Sequence, residues 1–446
     1  MTIVIYSGRV CRADDAERRL MKHLMADYDP AVRPVANASE VLTVTFGAAL
    51  YHIIDVDERN QILTTNCWLT QIWTDHHLRW NKSEYGGIHV IRIPYNRVWL
   101  PDVILYNNAD STYQTAVINT NVIVQYTGEV VWLSHGIYKS SCEINVEYFP
   151  FDSQDCYMKW ASWTYDGYQV ELVKQTEEGD VSNYKANGEF DLISFESEKH
   201  NVIYSCCPEP YPDITYTIKL RRRPMFYVFN LILPCILING VALLVFYVPS
   251  ESGEKVTLGI SALLSMTVFL MTIRETLPPT EKTPLISLYY GASICLVSFA
   301  SGLSVVTLNI YYRGVRGGSV PSLIRTVVLN HLARFVFMSF EKAETKRTPQ
   351  NRLFAQISPR FIPRNLRTEE NDSYETRIIR ILNKVHASID RNEQRVTEQE
   401  RRELTELEWK QASLVLDRLL FTVFFLITVI TTSAILCGGP AHQHGS

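Results

Sequence analysis

The sequence has no surplus of positive charge. Lysine and arginine number 43 against 47 aspartates and glutamates, for a formal net charge of −4. Bulk composition therefore gives no case for a nucleic-acid partner. The marks of enzyme chemistry are missing too: there is no metal-ligand spacing, no glycine-rich phosphate loop and no nucleophile motif. The adjacent His76-His77 pair stands alone and reads as structural. No cofactor is expected. A clear secretory leader is also lacking, since Met1–Val10 offers only the short apolar core TIVIY before charges begin. Residues 1–13 are read as a leader or an engineered start, and the tail GGPAHQHGS as partly engineered.

Charge is scarcest in four long apolar runs, Phe226–Val248, Val256–Ile273, Ile286–Tyr312 and Leu414–Cys437. A membrane span needs about 20 mostly apolar residues. The first, third and fourth runs meet that, and the second is shorter and more polar. Four such runs argue against buried helices of a large soluble core. The segment between the third and fourth carries Arg313, Arg316, Arg325, Arg334, Lys342, Lys346 and Arg347, which favours a cytoplasmic location. Cys142, Cys156, Cys206 and Cys207 all lie in the N-terminal half, where an oxidising exterior permits disulfides. Glycosylation sequons at Asn37 and Asn81 agree with that side, and a third at Asn371 is expected to stay bare.

Residues 14–29 have helical spacing, with Leu20, Leu24 and Met25 on one face. From about residue 40 to 222 short alternating stretches such as VLTVTF, NVIVQY and ITYTIKL predict an all-β sandwich. Residues 321–338 are amphipathic and basic, as for a helix on a membrane surface. Residues 341–370 read as loop, and the charged stretch from Tyr374 reads as a helix running into the fourth span. The expected architecture is an all-β extracellular sandwich over 14–223 plus an all-α four-helix transmembrane domain. Its parts are 224–312, an intracellular region 313–413, a last span 414–437 and an extracellular tail 438–446.

Cys142-EINVEYFPFDSQD-Cys156 places Phe149-Pro150-Phe151-Asp152 near the centre of its loop. This resembles the signature loop of the Cys-loop receptors. Further segments, RPVANASEVLTV, DVDERNQILTTNCWL, WLPDVILYN, YSCCPEPYPDITY and SGEKVTLGISALLSMTVF, are similar to nicotinic acetylcholine receptor subunits of the homomeric neuronal kind. TEKTPLISLYYGASICLV resembles an invertebrate, nematode-like branch that includes betaine- or choline-gated channels. The resemblance implies a pentamer around a central pore, with identical or related subunits, membrane lipid, a quaternary-ammonium agonist and permeant cations as partners. It also implies bonds between Cys142 and Cys156 and between Cys206 and Cys207.

A quaternary ammonium cannot donate a hydrogen bond, so aromatic faces must hold it, each contact being worth about 0.5–2 kcal/mol. By resemblance the principal face is Tyr106, Trp163, Tyr204 and Tyr211 around Cys206 and Cys207. The complementary face is Trp68 with Ile123, Val131 and Leu133, closed below by Asp180. Trp73 is assigned to the core. Val131 departs from the polar residue common in vertebrate homomeric relatives, which makes that face drier and leaves acetylcholine, choline and betaine open. The resemblance places coupling in Lys159, Tyr204 and Asp213, and in a Glu58–Arg222 pair beside the Phe149-Pro150-Phe151 turn; the plain alternative for each charge is an ordinary surface role.

In the second span Thr257, Ser261, Leu264, Val268, Met271 or Thr272, and Glu275 recur at steps of three or four and share one helical face. That face would line the pore, with Leu264 and Val268 as closing rings. Glu254 would ring the inner mouth and favour cations, where anion-selective relatives carry Pro-Ala instead of Ser252-Gly253-Glu254. Glu275 would give a second ring, with Arg274 beside it as a departure. Two other readings stay open: a ligand-binding module without a channel, and an anion-selective channel.

Overall fold

The computed structural model describes residues 15–112, 117–205, 207–278, 282–316, 318–336, 338 and 372–441. Cys206, Asn371 and the expected loop at 341–370 lie outside them. The chain divides into two units. One contains the chain up to Ile232 and Leu270–Leu288; the other contains Leu233–Phe269 and Tyr289–Cys437.

The first unit opens with helix α1 (Asp15–Leu24), which buries Leu20 and Leu24. Its acidic residues Asp15 and Glu17 sit in the first turn and Lys22 and His23 in the last, the order that suits a helix dipole. The strands are β1 (Leu42–Asp57), β2 (Ile62–Thr74), β3 (Val90–Ile93), β4 (Val103–Leu105), β5 (Val117–Ile118), β6 (Val122–Gln125), β7 (Glu129–Ser141), β8 (Ser153–Ser162), β9 (Val170–Lys174), β10 (Phe190–Ile203) and β11 (Pro210–Arg222). They make a seven-stranded sheet, β3-β6-β7-β2-β1-β9 with β5 on β7, and a four-stranded sheet, β10-β11-β8-β4. Strand β2 shows why one face is buried: Leu63, Thr65, Cys67, Leu69, Gln71 and Trp73 alternate inward, and Trp68 between them points out. The sheets meet through aromatic rings. Phe46 lies 5.5 Å from Trp160 and 6.2 Å from Tyr216, and Tyr138 packs edge-on against Trp160 at 5.0 Å. The Tyr216 hydroxyl accepts a hydrogen bond from the Ala48 amide, so the buried phenol is satisfied.

Cys142 and Cys156 are bonded and close the loop carrying a cis Phe149-Pro150 peptide. Above that loop lies Arg222, whose side chain has no exposed surface. Its guanidinium donates to Glu58 at 2.7 Å, to Asp152 at 2.8 Å and to Glu189. The rings of Phe190 and Phe149 flank it at 4.4 and 4.9 Å.

In the second unit and across the junction, helices α2 (Met225–Phe246), α3 (Lys255–Thr276), α4 (Leu285–Arg313) and α6 (Asp372–Ala441) are long and apolar enough to cross a membrane, and α5 (residues 322–335) is short. Helix α2 widens to a π turn at Val228–Ile232 just ahead of Pro234. Proline has no amide hydrogen and its ring clashes with the carbonyl four residues back, so the wider turn relieves it. On α3 the residues Lys255, Ala262, Met266 and Ile273 are buried. Thr257, Ser261, Leu264, Val268, Met271, Thr272 and Glu275 form an exposed face. The Lys255 ammonium is inside, 2.5 Å from Asp417, and both side chains are at most 5% exposed. Charge is scarce in the fourth apolar run, and Asp417 within it is accommodated by this pairing. Helix α5 packs Val328 and Ala333 on Ala412 and Val415, with Arg325 bonded to Glu408.

Arg222→Gln would leave the buried Asp152 carboxylate without its cation, at a cost of about 3–5 kcal/mol. Thermal unfolding of the full chain should show that loss, and a joint Arg222→Met, Asp152→Asn variant should recover part of it. Equal stability of wild type and Arg222→Gln would contradict this account of the cluster.

Candidate functional site

Two aromatic clusters stand on different sheets of the sandwich. The first gathers at one end of the four-stranded sheet. Tyr106 follows β4 and Trp163 follows β8; their rings meet edge to face at 5.5 Å. Tyr204 follows β10 and Tyr211 is in β11, with ring centroids 5.7 Å apart. Lys159 joins the pairs, its ammonium 5.8 Å from the Tyr106 ring and 5.9 Å from that of Tyr204. The structure thus brings Tyr106, Trp163, Tyr204 and Tyr211 into one group through β8, β10 and β11. Trp163 is 65% exposed, so a large indole face is left open. Cys207 is half-buried beside this group; its predicted bond to Cys206 falls outside the described residues.

The electrostatics of the first cluster are set by a nearly buried carboxylate. Asp213 receives Lys159 at 3.0 Å, Thr215 at 3.0 Å and a His200 ring nitrogen at 3.2 Å. Burial pulls the Lys159 ammonium down, but its hydrogen bond and charge contact with Asp213 outweigh that and hold its pKa above the ordinary lysine value. Burial, reinforced by Tyr204 and Asp102, pushes the Tyr106 phenol up to about 12. Tyr106 stays neutral at physiological pH and donates to the Ser162 carbonyl at 2.8 Å.

Asp102 is a residue that sequence reasoning passed over. It sits at φ 39°, in the left-handed region, where aspartate is tolerated better than most residues. Its carboxylate accepts from the Thr164 amide at 3.1 Å, from the Thr164 hydroxyl at 2.6 Å and from the Ser162 hydroxyl. These bonds frame Trp163 on both sides. The only sequence signal was its place in WLPDVILYN.

The second cluster lies on the outward face of the seven-stranded sheet. Cross-strand register places Trp68 opposite His135, Thr70 opposite Leu133 and Ile72 opposite Val131. Val131 in turn faces Ile123. Trp68, Leu133, Val131 and Ile123 therefore share one face across β2, β7 and β6. Trp68 is 39% and Leu133 45% exposed. Asp180 bridges to Ala49 on β1, and Ala49 pairs with Trp68. Among the described residues Trp68 has its ring contact with Tyr51, 5.1 Å away, and none with the first cluster.

Glu58 and Arg222, expected as a pair, are 2.7 Å apart. Burial pushes the Glu58 carboxyl above its usual range while Arg222 pulls the other way. Phe149 is buried beside Arg222, and Phe151 donates its amide to the Tyr148 carbonyl at 2.8 Å. Glu189 was not foreseen in this cluster. Glu254 is exposed where α3 begins, its carbonyl accepting from Leu258 at 3.0 Å. Gly253 precedes it at φ 71°, a turn that a side chain would strain. Asn37 and Asn81 are both exposed. Trp73 is buried, and His77 packs edge-on against Tyr28 at 6.4 Å. No group of three metal-ligating side chains occurs among the described residues.

Residues 17–224 match the family model described as neurotransmitter-gated ion-channel ligand binding domain. Residues 231–436 match the neurotransmitter-gated ion-channel transmembrane region. The chain is similar to neuronal acetylcholine receptor subunit alpha-3 of Homo sapiens, at 46% identity over 74% of this chain and 65% of the relative. It is also similar to neuronal acetylcholine receptor subunit alpha-9 of Gallus gallus, at 43% identity over 74% of this chain and 68% of the relative. The matched part thus spans about two thirds of these relatives' length.

The Lys159–Asp213 contact predicts coupling between its two residues. In a double-mutant cycle of Lys159→Met and Asp213→Asn, read by thermal unfolding, the interaction should be about 0.5–3 kcal/mol. Additive effects would mean that the contact is not formed in solution.

Proposed function

Since the chain belongs to the neurotransmitter-gated ion-channel family, with both its ligand-binding and its transmembrane regions matched, we propose that it is a subunit of a pentameric cation channel opened by a quaternary ammonium. This family consists of gated channels rather than enzymes. The observation that carries the reading is the pair of aromatic faces on one chain. Tyr106, Trp163, Tyr204 and Tyr211 offer a π-rich pocket wall, and Trp68 with Leu133, Val131 and Ile123 offers a second wall on another sheet. Among the described residues the two walls share no ring contact. Facing copies in a closed ring bring the first wall of one subunit against the second wall of the next. A cation between them is held by ring faces without a counter-ion.

Relatives are named as acetylcholine receptor subunits, which supports acetylcholine as the ligand. The dry complementary wall at Val131 and Ile123 favours keeping choline and betaine as candidates. The Cys206–Cys207 bond stiffens the segment between Tyr204 and Tyr211 in this reading. Asp180 closes the pocket from the β1 edge. Lys159, Tyr204 and Asp213 form the local switch, and Arg222 with Glu58 and the Phe149-Pro150-Phe151 turn carries the movement towards the pore.

The exposed face of α3 lines the channel. Thr257 and Ser261 suit hydrated ions, and Leu264 and Val268 close by dewetting. Glu254 supplies the inner ring of negative charge that selects Na+, K+ and Ca2+, with Glu275 at the outer end. The neighbouring Lys255 does not cancel the inner ring, because Asp417 holds its ammonium inside the protein. The channel sits in the plasma membrane, at synapses, with carbohydrate at Asn37 and Asn81.

Cells expressing this chain alone should give inward currents to acetylcholine, choline or betaine. Surface delivery without current to any of the three would overturn the homomeric reading. Glu254→Gln should lower calcium permeability, seen as a shift of reversal potential on ion substitution; an unmoved reversal potential would remove Glu254 from the selectivity ring.

A further inference from the structure

Trp68 does not stand alone on its face. The register of β1 against β2 runs Ala49 to Trp68 and Leu50 to Cys67, then skips to His52 opposite Asn66. Tyr51 is the residue left without a partner at this bulge. Bulges bend a strand and re-aim side chains, and they are common beside functional sites. Here the bulge lays the Tyr51 ring on the Trp68 indole, with centroids 5.1 Å apart and planes 17° from parallel.

Tyr51 is itself fixed from the neighbouring segment. The Lys185 amide donates to the Tyr51 carbonyl at 2.8 Å, and the Lys185 carbonyl lies 3.0 Å from a His52 ring nitrogen. These backbone ties bring the Lys185 ammonium over the Tyr51 ring at 5.1 Å. Tyr51 therefore already serves a resident cation, while Trp68 keeps 39% of its surface open. An incoming cation meets like charge near Tyr51 and an unused π face at Trp68.

We infer that Tyr51 is a positioning residue for the ligand cation. Its stacked ring sets the angle of the Trp68 indole, and Lys185 directs the cation to Trp68 rather than to Tyr51. The inference rests on the proposed site and deepens it, because it names what orients the complementary wall. Sequence reading missed Tyr51, since strand alternation alone does not reveal a bulge.

The test uses the full chain at the cell surface, with currents evoked by the most potent of acetylcholine, choline and betaine. Offset ring stacking supports an expected rise in half-maximal concentration of about three- to tenfold for Tyr51→Leu. Tyr51→Phe, which keeps the ring, should restore the wild-type value. In a Trp68→Ala background Tyr51→Leu should add nothing, because the indole it orients is gone. Surface density, measured in parallel, should not change. A wild-type response from Tyr51→Leu, or a full additional shift in the Trp68→Ala background, would overturn the inference. Trp163→Ala and Trp68→Ala act as controls. If neither moves the response, the proposed site fails with it; if both do and Tyr51→Leu does not, the positioning role alone fails.

Discussion

A cation that leaves water loses several kilocalories of hydration, and the fold must replace them. This constraint recurs at three cations of the chain, Arg222, Lys159 and Lys255. Arg222, fully inside, is met by the carboxylates of Glu58, Asp152 and Glu189 and by the faces of Phe149 and Phe190. Lys159 is met by Asp213 and by the rings of Tyr106 and Tyr204. Lys255 is met by Asp417. Carboxylates balance these three cations, whereas the open face of Trp163 is offered ring to solvent. That contrast suits the proposed site, in which ring faces hold a permanently charged ligand.

The same constraint links the site to the rest of the sandwich. Tyr106 and Lys159 are neighbours because β4 and β8 pair, and Asp213 reaches Lys159 because β8 and β11 pair. On the other sheet, the outward alternation of β2 that exposes Trp68 is the alternation that buries Trp73 five residues on. A one-residue slip of β2 would bury Trp68 and expose the core. The register that holds the sandwich together therefore also sets the proposed binding wall.

Much of this was legible in the sequence, for reasons that differ by element. Apolar length announced the four spans, and period-two alternation announced the strands. The loop from Cys142 to Cys156 is local and resembles the family signature, and that resemblance is what implied its closure. Glu58 and Arg222 were anticipated as partners, but Glu189 was not, because it joins them from the start of another strand with no local pattern to mark it. Asp417 was hidden inside an apolar run. Its partner Lys255 is far away in sequence, and only packing brings them together. The Tyr51 bulge was equally silent, since a skipped residue leaves no periodic trace in a strand this long. Long-range placement of single residues is what composition and period do not encode.

The central claim is that aromatic faces hold the ligand cation, and the electrostatics of the Trp163 ring test it most directly. Replacing Trp163 with tryptophans carrying one, two, three and four fluorines drains its π face stepwise while keeping its shape. The account predicts a half-maximal ligand concentration whose logarithm rises in proportion to fluorine content. A flat series, with surface expression intact, would contradict it.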